Sequence, residues 1–296
     1  MKYIFFLLPY LFAQPVHAHA EWFVEETTTS LSTPFTFSDT ALLLWVGILC
    51  LFLCVGYYLH TRVHIESRLP KWMNWDSTQR EKIVHIALSF FGLWLVLNSM
   101  RGIAIEPTHS AQWLLYPQTA IGLLMIAGVY KRVAAVALVL LWIAGVGMFG
   151  FWLFDALYMI GIAALLWSPK DARALHIARI TLGIALIITA FREKLLYPEL
   201  SHAFLQIHDW NFMQNIGLNY SDELFILSAG MMEVIFGLLL VYGWVTRLTI
   251  IGLAPILLLT ASLLGIVEVI GHIPILVIAV LLLIYGTPKI QKKLSS

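Results

Sequence analysis

The chain has 296 residues, 60% of them hydrophobic and only 12% charged, with a net charge of +1 and a mean hydropathy of +0.85. Soluble domains carry about 25% charged residues, so a soluble globular protein is excluded. The basic residues also form no patch of the kind that binds nucleic acid. What remains is an all-α polytopic membrane protein whose first partner is the lipid bilayer.

The first element in chain order is a secretory signal. Met1–Ala20 opens with Lys2, continues as the apolar run Tyr3–Phe12, and ends in Gln14, Pro15 and small residues. A run of about ten residues is too short to span and fits a signal core. Val16-His17-Ala18 and Ala18-His19-Ala20 both satisfy the small-x-small cleavage rule, so the signal is 1–18 or 1–20 and the mature chain starts at His19 or Glu21. A segment over 19–39 then leads to a leading helix at 40–60 and a linker at 61–82.

Apolar stretches recur at Thr40–Leu59, Ile83–Met100, Trp113–Tyr130, Val133–Gly150, Trp152–Trp167, Ile177–Phe191, Leu224–Tyr242, Leu248–Ile266 and Ile273–Tyr285. They predict about nine spans. With the mature N-terminus in the periplasm, the cytoplasmic side collects Arg62, Arg68, Lys71, Arg80, Lys82, Lys131, Arg132, Lys170, Arg173, Arg179, Arg247, Lys289, Lys292 and Lys293. The other side receives Arg101, Arg192 and Lys194. This asymmetry obeys the positive-inside rule. It predicts a bacterial inner-membrane protein with a periplasmic N-terminus and a cytoplasmic C-terminal tail at 290–296. Cys50 and Cys54 lie inside an apolar segment, where they read as packing residues.

An internal repeat organises the spans. His85-Ile86-Ala87, Gly92 and Arg101 recur as His176-Ile177-Ala178, Gly183 and Arg192. Gly122-Leu123-Leu124, Gly128 and Arg132 recur as Gly237-Leu238-Leu239, Gly243 and Arg247. The copies close on Ser168-Pro169-Lys170 and Thr287-Pro288-Lys289. Four spans per copy keep both copies in one orientation, related by an axis along the membrane normal. The predicted architecture is one leading helix plus two tandem four-helix repeats, at 83–170 and 171–289. The second copy has the longer outward loop, Leu195–Glu223, and it places Lys194 and Glu233 where the first has Ile103 and Gln118.

The second copy resembles the DoxX/DoxD family of small four-span membrane proteins. The likeness rests on Arg179 with Gly183, Phe191–Leu195 ending in Lys194, Ala229-Gly230-Met231-Met232-Glu233, Gly237-Leu238-Leu239-Leu240, Gly243 and Thr246-Arg247. It covers roughly 175–289, with 83–170 as a degenerate copy. The family includes a subunit of an archaeal thiosulfate:quinone oxidoreductase, so the resemblance implies quinone as a cofactor and other membrane or periplasmic redox subunits as partners.

The candidate site lies on the outward face of the second copy. Glu233 is an intramembrane acid costing on the order of 3 kcal/mol unless paired or wet. A functional carboxylate and a structural ion pair with Lys194 or Arg192 account for it equally. Glu268 and His272 flank the last hairpin, where Gly271 and Pro274 are expected to break the helix. With Arg192, Glu193, Lys194, His202, His208 and Asp209 they predict a polar pocket able to relay protons to a quinone head group; ordinary interfacial loop residues are the competing reading. Asp155 reads as a helix start.

His19 supports a different function. As the first mature residue, its α-amine and imidazole would chelate copper together, unless it is simply part of the signal's cleavage region. Three readings therefore stand: a subunit or accessory of a quinone-linked redox system, a non-catalytic periplasmic copper-handling or assembly factor, and a small-solute transporter.

Overall fold

The computed structural model describes residues 35, 39–68, 77–105, 111–169, 171–208, 210–264 and 266–286, with side chains omitted at 67–68, 77, 151–152, 208 and 260–268. The predicted signal peptide, His19, Asp209 and the predicted tail at 290–296 lie outside the described residues, as does the Glu268 side chain.

The described residues form helices and turns. In chain order the α-helices are α1 (Thr40–Tyr58), α2 (Ser77–Met100), α3 (Gln112–Ala127), α4 (Lys131–Phe149), α5 (Tyr158–Trp167), α6 (Ala172–Ala190), α7 (Glu199–His208), α8 (Phe212–Asn215), α9 (Asp222–Tyr242), α10 (Thr246–Leu264) and α11 (Ile266–Tyr285). The nine predicted spans are α1–α6 and α9–α11. Five are long and apolar enough to cross a membrane by themselves: Thr40–Val63, Thr78–Met100, Lys131–Phe149, Ala172–Leu195 and Asp222–Tyr242. Leu153–Trp167, Thr246–Leu259 and Val269–Tyr285 are shorter apolar helices. The chain is an all-helical polytopic membrane protein.

Several expectations are corrected. The linker expected over 61–82 is helical from Ser77, because the polar turn Ser77–Lys82 joins the apolar helix behind it. The span expected from Trp152 begins as a tight 3-10 stretch, Gly150–Leu157, and becomes α-helical at Tyr158. Gly271 and Pro274 do not break α11, which runs through both. A proline inside a span is tolerated because neighbouring helices re-satisfy the freed backbone group. Cys50 and Cys54 are free and exposed on α1, so they face outward and do not pack in the core.

The repeat is visible in the packing. The first copy is α2–α5, and the second is α6, α9, α10 and α11. In each, the first two spans cross at a pair of glycines. A Cβ on Gly92 would stand 2.7 Å from the Gly122 carbonyl oxygen, and one on Gly183 would stand 2.6 Å from that of Gly237. Small residues at such crossings let backbones approach where lipid supplies no hydrophobic drive. Each second span ends in a left-handed glycine, Gly128 at φ 68° and Gly243 at φ 72°, the backbone region glycine enters without steric penalty. Beyond these pairs the copies interlock: α5 packs on α6, and α11 packs on α2. Each fourth span thus seats on the first span of the other copy, so the hydrophobic core runs through both. α1 stands at the edge and packs on α9.

Buried arginines finish the helix ends opposite Lys194. Arg179 donates to the carbonyls of Leu240 and Val241, and its other nitrogen meets His176 Nδ1 at 2.8 Å. Arg247 donates to Leu283 and Ile284 at 2.8 and 2.7 Å, while its backbone N–H donates to Glu66 at 2.8 Å. Cations placed on terminal carbonyls offset the partial negative charge of a helix C-terminus.

Candidate functional site

The site begins where α6 changes winding. Phe191–Leu195 forms one π-helical turn, closed by the Leu196 N–H donating to Phe191 at 2.9 Å. Such turns insert an extra residue into a helix and recur at functional sites. Here the turn carries Arg192, Glu193 and Lys194 in succession and aims them at different elements.

Lys194 points at α9. Its Nζ lies 3.1 and 3.2 Å from the two Glu233 carboxylate oxygens and 3.5 Å from Glu193 Oε2. One ammonium therefore bridges two carboxylates. Gly230, one turn from Glu233, makes room: a Cβ there would stand 3.0 Å from Lys194 Cβ and 2.9 Å from Leu195 Cδ2. Leu195, next to Lys194, and Val234, next to Glu233, belong to one apolar cluster with Leu42 of α1, Ala190 of α6, and Leu227 and Met231 of α9.

Arg192 points the other way, into the first copy. Its guanidinium lies 3.4 Å from Asp155 Oδ2, with both side chains under a tenth exposed. Asp155 Oδ1 also accepts from the Ala156 N–H at 2.9 Å. Asp155 thus does more than open a helix, and its ion pair joins the 3-10 stretch before α5 to the π turn that ends α6. Above the π turn, Ser201 of α7 donates to the Glu193 carbonyl at 2.8 Å, so α7 covers this end.

Of the predicted pocket residues, the structure joins Lys194 with Glu193 and Glu233, and Arg192 with Asp155. His272 is buried in α11, a helix that packs against both α5 and α6. Among the described residues no group of three His, Cys, Asp or Glu is arranged to hold a metal ion, and the copper reading rests on His19, outside that set.

Depth and exposure distinguish Glu233. It is the twelfth residue of α9, about 16 Å along the helix at 1.5 Å per residue, which is near the middle of a 21-residue span. Yet its side chain is 27% exposed, against 5% for Glu193.

Residues 174–270 match the DoxX family model. The DoxX match takes in the π turn, Lys194 and Glu233, and it ends within α11 just before His272. No curated protein matches the chain, and no solved structure does either. The first copy, with Asp155, lies outside the DoxX match.

Proposed function

We propose that this protein is a membrane component of a quinone-linked redox system of the bacterial inner membrane. In this reading Glu193, Lys194 and Glu233 receive a quinone head group on the periplasmic side. The observation that supports it most is the accessible Lys194–Glu233 pair halfway along a span. A hydrocarbon-tailed molecule reaches that depth from the lipid, whereas a water-soluble one meets the cover formed by α7.

The chemistry fits a carbonyl or hydroxyl head group. The Lys194 ammonium can donate a hydrogen bond to a quinone oxygen, and Glu233, the more exposed carboxylate, can take up or release the accompanying proton. Arg192 and Asp155 hold the π turn in place from the first copy. The DoxX match supports the same reading, and the fourteen basic residues on the predicted cytoplasmic side support the orientation.

Quinone reduction by isolated membranes tests this reading. Membranes of a deletion strain should reduce added quinone more slowly than wild-type membranes, with recovery when the gene is restored. Unaltered reduction would remove the redox role.

A further inference from the structure

The excursion between α6 and α9 is held in shape by side-chain amides, one of them buried. Asn211, 2% exposed, donates from Nδ2 to the Tyr220 carbonyl at 2.8 Å and to Asp222 Oδ1 at 2.9 Å. Gln214 Nε2 donates to the same two acceptors at 2.8 and 3.3 Å, and Ser221 caps α9 by accepting from the Leu224 N–H. Together these bonds hold 211–222 in one shape.

Four of its large apolar side chains turn outward. Ile207 is 56% exposed, Phe212 40%, Ile216 69% and Leu218 50%, and no residue from Trp210 to Tyr220 carries a charge. A single exposed leucine means little. Four large exposed apolar side chains, on an excursion uncharged from Trp210 to Tyr220 and held in shape by Asn211 and Gln214, point to an apolar surrounding.

We infer that this loop is a monotopic lipid anchor, with Ile207, Phe212, Ile216 and Leu218 seated in the headgroup–acyl boundary at the Lys194 end. Continuity with a membrane span selects lipid over a protein partner. The Trp210 ring meets Phe204, Phe212 and Phe225 edge-on at 6.0, 6.3 and 6.4 Å, and Phe212 meets Phe225 at 5.2 Å. Phe225 sits in the first turn of α9, so the apolar face of the loop extends the face of a span at the level where that span ends. Trp210 and Tyr220 bracket the segment, and these are the residue types enriched at the interface. Interfacial segments bury their apolar face roughly 5–10 Å into this layer. Since α7 is bonded to the π turn through Ser201, the anchor also fixes the cover of the charged site.

Electron paramagnetic resonance on the full chain tests the anchor. The protein, carrying Cys50→Ser and Cys54→Ser, is reconstituted in vesicles of phosphatidylethanolamine and phosphatidylglycerol. Nitroxide labels are placed at Ile216→Cys or Leu218→Cys, with Arg173→Cys as the water-facing reference. At 216 and 218, dissolved oxygen should relax the label several-fold more than a water-soluble nickel complex does, with the ratio reversed at 173. Nickel dominating at 216 and 218 would overturn the inference, and so would exclusion of both agents, the mark of a protein contact. A photoactivatable lipid applied to the unsubstituted protein provides a second reading. Labelled peptides should include 210–220, and their absence would equally overturn the anchor.

Discussion

In the first copy, α2 and α3 cross at Gly92 and Gly122 and are closed above the crossing by Gln118. Its side chain is wholly buried; it accepts from the Ile105 N–H at 2.8 Å and donates to the Leu95 and Ile103 carbonyls at 3.1 and 3.0 Å. In the second copy, α6 and α9 cross at the matching glycines, with Glu233 standing in place of Gln118 and Lys194 in place of Ile103. The same two positions thus tie the helix pair in both copies, once by a neutral amide and once by an ion pair. The first copy is an internal control: closing this pair of spans needs no charge. A partly exposed carboxylate kept at mid-span in the second copy is therefore an expense the fold does not require, and the proposed quinone site rests on that difference.

Four sets of substitutions break or sharpen this contrast. The largest effect is expected at the shared crossing. Gly183→Val and Gly92→Val each force a side chain against a facing backbone carbonyl, which costs at least 3 kcal/mol, beyond the usual overpacking range of about 1–3 kcal/mol. Both variants should lose the monodisperse peak in size-exclusion chromatography after detergent extraction. If only one copy were sensitive, the crossings would not be equivalent.

Next in size is Lys194→Met, which strands two carboxylates. Breaking a buried pair costs about 3–5 kcal/mol, and the partial exposure of Glu233 places this variant at the lower end. Thermal unfolding in detergent should show the loss, and adding Glu233→Leu should recover part of it. A double variant no more stable than the single one would mean that the pair does not act as a unit.

Gln118→Leu should cost less, about 1–3 kcal/mol, because it removes the partner of the Ile105 N–H and of the Ile103 carbonyl without leaving a charge, while the Leu95 carbonyl keeps the Ser99 hydroxyl at 2.9 Å. Smallest of all is Cys50→Ser with Cys54→Ser, expected within about 0.5 kcal/mol because both face outward. A large shift in the same unfolding assay would place them in a contact instead.

Much of this contrast was legible in the sequence. Nine apolar runs predicted the helices α1–α6 and α9–α11 because a span must bury every backbone amide within itself. The repeated glycines predicted the duplication but not that the helices cross at them, and the alignment of Lys194 and Glu233 against Ile103 and Gln118 predicted where charge would concentrate. Asp155 was not legible as a partner of Arg192. Their pairing follows from the interlocked fourth spans, a three-dimensional arrangement that no sequence spacing encodes. The uninterrupted α11 was misread because Gly271 and Pro274 are helix breakers in water, whereas neighbouring spans support them here. The fold of 196–221 was missed because its helices are short and Ile207, Phe212, Ile216 and Leu218 face outward.

The most direct test of the central claim compares the two copies in one measurement. Quinone retained per mole of purified protein is determined by solvent extraction and chromatography for wild type, Glu233→Gln and Gln118→Leu. The account predicts bound quinone in wild type, retention in folded Gln118→Leu, and a loss of about tenfold in Glu233→Gln, the equivalent of one charged hydrogen bond. Wild-type protein free of quinone, or Glu233→Gln binding as tightly as wild type, would contradict it.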